Sequence, residues 1–183
     1  IVRTFSFVMR NFASILRRQK QELHDLLRNE KIIEREAASS LSEIMNSSLI
    51  KVITGVRRCG KSVFCTQLLK GKKYGYVNFD DENLVGIRAD ELDEVLKAVY
   101  EVYGQIKFLF LDEVQNIEKW ELFINRLHRQ GLNMIVTGSS AKLLSKALAT
   151  HLTGRHLAIE LFPFSFREFL NYKEVHLAGE TAE

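Results

Sequence analysis

The clearest chemistry lies in Gly55-Val56-Arg57-Arg58-Cys59-Gly60-Lys61-Ser62. The spacing is G-x-x-x-x-G-K-[ST], which turns backbone N–H groups, one lysine and one hydroxyl toward a single anion. Gly55 and Gly60 supply backbone angles and close approaches that a Cβ would hinder. Lys61 is expected to reach the β- and γ-phosphates of a nucleoside triphosphate, and Ser62 Oγ to bind Mg²⁺. Val56, Arg57, Arg58 and Cys59, with Val63 just beyond, complete the expected phosphate cradle.

A second cluster is the acidic pair Asp112-Glu113, directly after the apolar run Phe108-Leu109-Phe110-Leu111. Asp112 is expected to hold Mg²⁺, directly or through water, beside Ser62. Glu113 is then placed to orient or deprotonate an attacking water. Two carboxylates against apolar surface are costly unless cations neutralise them, and Lys61 and a metal would do so. Third come Thr137 and Ser139, hydroxyls just past another apolar run, either of which can touch the γ-phosphate or the lytic water. Spacing does not choose between them, and capping the next helix is a competing role for such hydroxyls.

These groups need a scaffold, and the flanks describe one. Leu49 to Thr54 is apolar and β-prone, as a buried parallel strand should be, and Val63 to Leu69 suits a helix. Strand, glycine loop and helix N-terminus together make an anion site. Further strands are expected at Tyr74–Phe79, Phe108–Leu111, Leu132–Val136 and His156–Leu161, the last with the weak alternation of an outer strand. Helices are expected at 90–103, 116–129 and 141–148, and one opens on the capping box Ser165-Phe166-Arg167-Glu168. Ligands bind at the C-terminal edge of such open sheets.

Ahead of the first strand, Phe12, Ile15, Leu16, Gln19, Leu23, Leu26 and Leu27 recur at helical spacing, with Arg17, Arg18 and Lys20 largely off the stripe. We expect this helix to pack on the domain with its basic face in water rather than to rest on a membrane or on nucleic acid. A second helix is expected over 31–45, and Arg35 on it reads as solvated rather than as a contact to the nucleotide base. Trp120 reads as a packing anchor, His128 as a surface residue, and Asp80-Asp81-Glu82-Asn83 as either a solvated turn or a support for water near magnesium. The chain is expected to divide into an N-terminal helical segment, 1–46, a nucleotide-binding core, 47–172, and a stretch, 173–183, that is either a tail or the truncated start of a C-terminal region.

At 183 residues with 46% hydrophobic content, the chain suffices for one domain with a real core. The net charge of +3 permits an anionic partner such as DNA without demanding one. Cys59 and Cys65 match neither a zinc site nor a secreted disulfide framework, so a reducing, cytoplasmic setting is expected. No run approaches the roughly 18 apolar residues of a membrane span, and the apolar stretch within 1–10 is short for a signal peptide.

In order and spacing, several segments resemble the archaeal and bacterial AAA-like ATPase family that joins an N-terminal P-loop domain to a less understood C-terminal one. They are Val52 to Ser62, Phe110-Leu111-Asp112-Glu113-Val114-Gln115, Thr137-Gly138-Ser139-Ser140, Thr153-Gly154-Arg155 and Leu161 to Phe169. The resemblance implies a three-layer α/β P-loop NTPase of the additional-strand class, with a parallel five-stranded sheet of order 5-1-4-3-2. It implies ATP and Mg²⁺ as ligands, with Lys61 and Ser62 in the loop and Asp112 and Glu113 in the magnesium and water roles. It also implies a sensor among residues 137–140, and Arg155 as the arginine after the helix, expected near the γ-phosphate rim and acting either on its own nucleotide or on a neighbour's. Family members run to about twice this length, so substrate identity is expected to reside in a further domain.

The combined reading is Mg²⁺-dependent ATP hydrolysis that switches a partner, an attached domain or a second copy in a homo-oligomer. Two alternatives are a nucleotide-binding interaction module with little turnover and a small-molecule phosphotransferase. The latter needs a lid with several arginines, and only Arg155 lies near the expected region.

Overall fold

The computed structural model describes residues 10–41, 44–138 and 152–175. Five strands, β1 (Ile50–Thr54), β2 (Tyr74–Asn78), β3 (Phe108–Asp112), β4 (Asn133–Thr137) and β5 (His156–Glu160), form one sheet. Every neighbouring pair is parallel, in the order β2-β3-β4-β1-β5, which is the expected 5-1-4-3-2 read from the other edge. The inner strands are apolar because they are covered on both faces. On one face Val52, Leu109, Leu111, Met134 and Val136 meet α1 (Phe12–Asn29), α4 (Leu92–Tyr103) and α5 (Trp120–Arg129). On the other, Ile53, Phe110 and Ile135 pack against Phe64, Cys65 and Leu68 of α3 (Lys61–Leu68). Helix, sheet and helix give three layers. β5 forms an edge and alternates between half-buried and exposed residues.

The N-terminal helix packs on the core as expected. Leu16 and Gln19 are buried, and Gln19 exchanges hydrogen bonds with the backbone of Asn78, donating at 3.0 Å and accepting at 2.9 Å. Arg18 lies on the flank and pairs with Asp81 at 2.7 Å. Asp81 of the turn after β2 is therefore held by α1, while Asp80, Glu82 and Asn83 are exposed.

Three helix boundaries differ from expectation. The helix sought over 31–45 narrows to α2 (Glu36–Leu41), and its first N–H, on Glu36, donates to Glu168 at 2.9 Å. The helix expected to begin at Asn116 begins at Trp120, after a 3₁₀ turn at Val114–Asn116. A similar turn at Ala89–Glu91 precedes α4. Short 3₁₀ turns at helix starts are not visible in a 3.6-residue hydrophobic period. Ser165 and Glu168 form the expected capping box at the start of α6 (Phe166–Lys173). The helix expected over 141–148 lies outside the described residues, as do Ser139 and the residues before Arg10. Among the described residues no helix is long and apolar enough to cross a membrane.

Candidate active site

The phosphate loop follows β1 at the C-terminal edge of the sheet, where the expected ligand edge lies. Gly55 is required by crowding: a Cβ there would lie 2.2 Å from the Leu161 carbonyl oxygen and 2.9 Å from Cys59 Sγ. Gly60 has φ +87°, the left-handed region that glycine enters at little cost. Between them Val56, Arg57 and Arg58 are exposed, while Cys59 is buried. Lys61 opens α3 and is only 6% exposed; its Nζ donates to the Gly55 and Val56 carbonyls, both at 3.3 Å. The ammonium thus lies inside the curl of the loop. It also stands 3.7 Å from Glu113 Oε1. Ser62 and Val63 follow on the first turn of α3, half-buried.

Asp112 ends β3 and is buried among polar partners. Ser62 and Thr137 hydrogen-bond its carboxylate, and Tyr76 Oη donates to Oδ2 at 3.4 Å. Burial pushes its pKa above the ordinary carboxylate value and Glu113 adds to this, against the opposing pull of Ser62, Thr137 and Tyr76. A carboxylate in that position gains from a nearby cation. Ser62 and Asp112 offer two adjoining oxygens, which suits Mg²⁺ shared with substrate phosphates better than a closed protein cage. The residues present therefore fit the metal that the motif implies.

Glu113 adopts φ 53° and ψ 48°, left-handed and costly for a non-glycine residue at roughly 1–3 kcal/mol. This backbone turn accompanies the approach of its carboxylate to Lys61. The second oxygen accepts from Gln115 Nε2. Thr137 binds both members of the pair: its Oγ1 donates to Asp112 and accepts from the Glu113 N–H at 3.1 Å. Thr137 is fully buried, and its hydroxyl ties the two members of the acidic pair together.

A family profile described as an AAA domain matches residues 47–170, more than half of the chain. The chain belongs to the AAA domain family. An uncharacterized protein of Methanocaldococcus jannaschii is 42% identical over 156 residues, covering 84% of this chain and 34% of its own length. One of Haemophilus influenzae is 32% identical over 145 residues, covering 74% and 36%. This chain thus spans about a third of the length of the curated relatives it matches, which makes them longer than the doubling implied by resemblance. Among solved structures, the Walker-type ATPase of Pyrococcus abyssi superposes with a TM-score of 0.51 at 17% identity, over 81% of this chain and 61% of that one. The Pif1 helicase of Candida albicans gives 0.50 at 13%, over 76% and 42%. At such identities the likeness is one of fold. Family membership supports nucleotide binding and hydrolysis as the general class of activity.

Within this AAA domain, Arg155 is not where its own phosphate loop can use it. It precedes β5, whose first residue pairs with the first residue of β1, and the Arg155 carbonyl accepts from Ile50 N at 2.9 Å. The loop lies beyond the far end of β1, at least about 13 Å away at 3.3 Å per residue. Arg155 Nη1 instead donates to Asn125 Oδ1 of α5 at 3.1 Å. Parallel pairing puts the residue before β5 at the N-terminal edge, and this corrects its expected place beside the γ-phosphate rim.

In and around the AAA domain there are also participants that the motifs did not single out. Tyr76 reaches Asp112 from the adjacent strand, where the β2–β3 register places Asn78 opposite Asp112. Gln115 braces Glu113, and in the sequence it stands out only as part of a segment that resembles the family. Arg35, expected in solvent, is buried with Glu168 at 2.9 Å. No local periodicity signals that contact, because its two partners are separated by most of the chain.

Proposed function

We propose that this domain binds ATP with Mg²⁺ and hydrolyses it to ADP and phosphate, coupling the change to a partner or to a further part of a longer polypeptide. The observation that carries this reading is the meeting of the loop lysine with the acidic pair: Lys61 Nζ lies within the loop and 3.7 Å from Glu113. The loop N–H groups and Lys61 bind and orient the β- and γ-phosphates, and Ser62 with Asp112 would hold Mg²⁺. When bound, the metal neutralises charge on the transferred phosphoryl oxygens. Glu113 takes the proton of the attacking water as its oxygen bonds to the γ-phosphorus and the bond to the β-phosphate oxygen breaks. Thr137 keeps Glu113 in register with Asp112.

The test is phosphate release from ATP in the presence and absence of Mg²⁺, without any added acceptor. Release that requires Mg²⁺ and is lost in Glu113→Gln supports the reading; no release and no ATP binding overturns it. One observation favours the low-turnover alternative for this chain alone: both oxygens of Glu113 are engaged, one near Lys61 and one with Gln115. ATP binding without phosphate release is the outcome that selects it.

A further inference from the structure

Arg35 lies in the stretch between α1 and α2 and is 7% exposed. Its guanidinium serves three separated parts of the chain. Nε donates to Glu168 Oε1 at 2.9 Å, Nη1 to the Cys59 carbonyl at 3.0 Å, and Nη2 to the Phe162 carbonyl at 2.6 Å. The ring of Phe164 covers it at 4.8 Å. Cys59 is the loop residue whose carbonyl shares a peptide plane with the Gly60 N–H, one of the groups expected to face phosphate. A peptide is planar, so holding that carbonyl fixes the direction of that N–H. Glu168 is equally committed: Oε1 also accepts from Glu36 N at 2.9 Å, and Oε2 from Ser165 N at 2.8 Å.

We propose that Arg35 is a positioning residue of the phosphate loop, and that through it Glu168 makes the segment from Phe162 to Lys173 part of the loop's support. The proposal rests on the nucleotide reading of the loop. A planar fork suits three acceptors spread around one point, whereas a lysine ammonium keeps the charge but not the fork. Energetic coupling is reciprocal, so phosphate binding that steadies Cys59 and Gly60 also steadies α6, and a partner that holds α6 tightens the loop. α6 and the turn before it expose Phe162, Phe164, Phe166 and Phe169, so the linkage runs from the nucleotide to an aromatic surface.

The test compares Arg35→Lys and Glu168→Gln with Val99→Ala in the full chain. Val99 is a buried α4 residue in the core on the other face of the sheet. Two quantities are read: amide hydrogen exchange at residues 58–62 without nucleotide, and Mg·ATP affinity by calorimetry. We expect Arg35→Lys and Glu168→Gln to speed exchange at 58–62 beyond any global change and to weaken Mg·ATP binding about fivefold or more. Val99→Ala should lower the melting temperature and change neither quantity selectively. Exchange at 58–62 and affinity both like the parent's in Arg35→Lys would overturn the proposal, as would equal effects in Val99→Ala. A parent chain that binds no Mg·ATP refutes the nucleotide reading, and the exchange comparison then still decides whether Arg35 positions the loop. Should Glu168→Gln fail to fold, Arg35→Lys decides alone.

Discussion

Lys61 and Glu113 divide the work at the candidate site in a way that substitutions can separate. Lys61→Ala removes the cation from the loop interior, a charged contact worth about 2 kcal/mol. Affinity for ATP should fall at least about tenfold, since each 1.4 kcal/mol is a factor of ten. Circular dichroism should stay unchanged, and calorimetry giving parent-like affinity would remove the loop assignment. Glu113→Gln keeps shape and the Thr137 bond to its backbone, so Mg·ATP should still bind while phosphate release falls about 100-fold. Turnover at the parent rate would move the water-activating role to another residue. Lys61, Ser62, Asp112 and Glu113 were legible because their chemistry is written in consecutive residues. Thr137 was legible only as a candidate, since its burial and its two partners depend on how β4 lies beside β3.

Elements decide whether those side chains meet, and two contacts test this scale. Gly55 joins β1 to the loop beneath the Leu161 carbonyl, so Gly55→Ala forces a methyl to within 2.2 Å of backbone oxygen. Such overpacking with a disfavoured φ should cost about 3 kcal/mol or more, visible as a lower urea midpoint with little change in m. Asp81 fastens α1 to the turn after β2. Burial raises its pKa, but bonds from Gln19, the Asn83 backbone and side chain, and Arg18 outweigh that and bring it down to about 2. A carboxylate whose folded pKa lies below its unfolded value stabilises above the unfolded value and loses that contribution as pH falls. Asp81→Asn should therefore be less stable than the parent at neutral pH, and the difference should close between about pH 4 and about pH 2. A gap independent of pH, measured by urea unfolding across that range, would assign the contact to packing instead. Strand positions and the packed basic helix were legible from apolar runs and a helical stripe, whereas the strand order came only with the family resemblance. The late start of α5 and the short α2 were not, because 3₁₀ turns and the distant Glu168 carboxylate set those ends.

At the scale of the whole molecule, the place of Arg155 makes assembly the remaining question. The residue stands at the edge of the sheet opposite its own phosphate loop, half-tethered by Asn125. A guanidinium there reaches a γ-phosphate only if that phosphate belongs to another copy. We propose this role in trans, for which an arginine supplied by a neighbour can be worth about 10³ in rate. Arg155→Ala should then bind Mg·ATP like the parent and hydrolyse it poorly. Mixed with an excess of Glu113→Gln, which keeps Arg155 and lacks the base, it should regain phosphate release at mixed interfaces. The specific activity of the parent should also rise with protein concentration as copies associate. Activity strictly proportional to concentration, with no recovery on mixing, would leave Arg155 as a tie between β5 and α5. In that case the interaction with Asn125 should appear as a loss of stability in Arg155→Ala rather than as a loss of turnover.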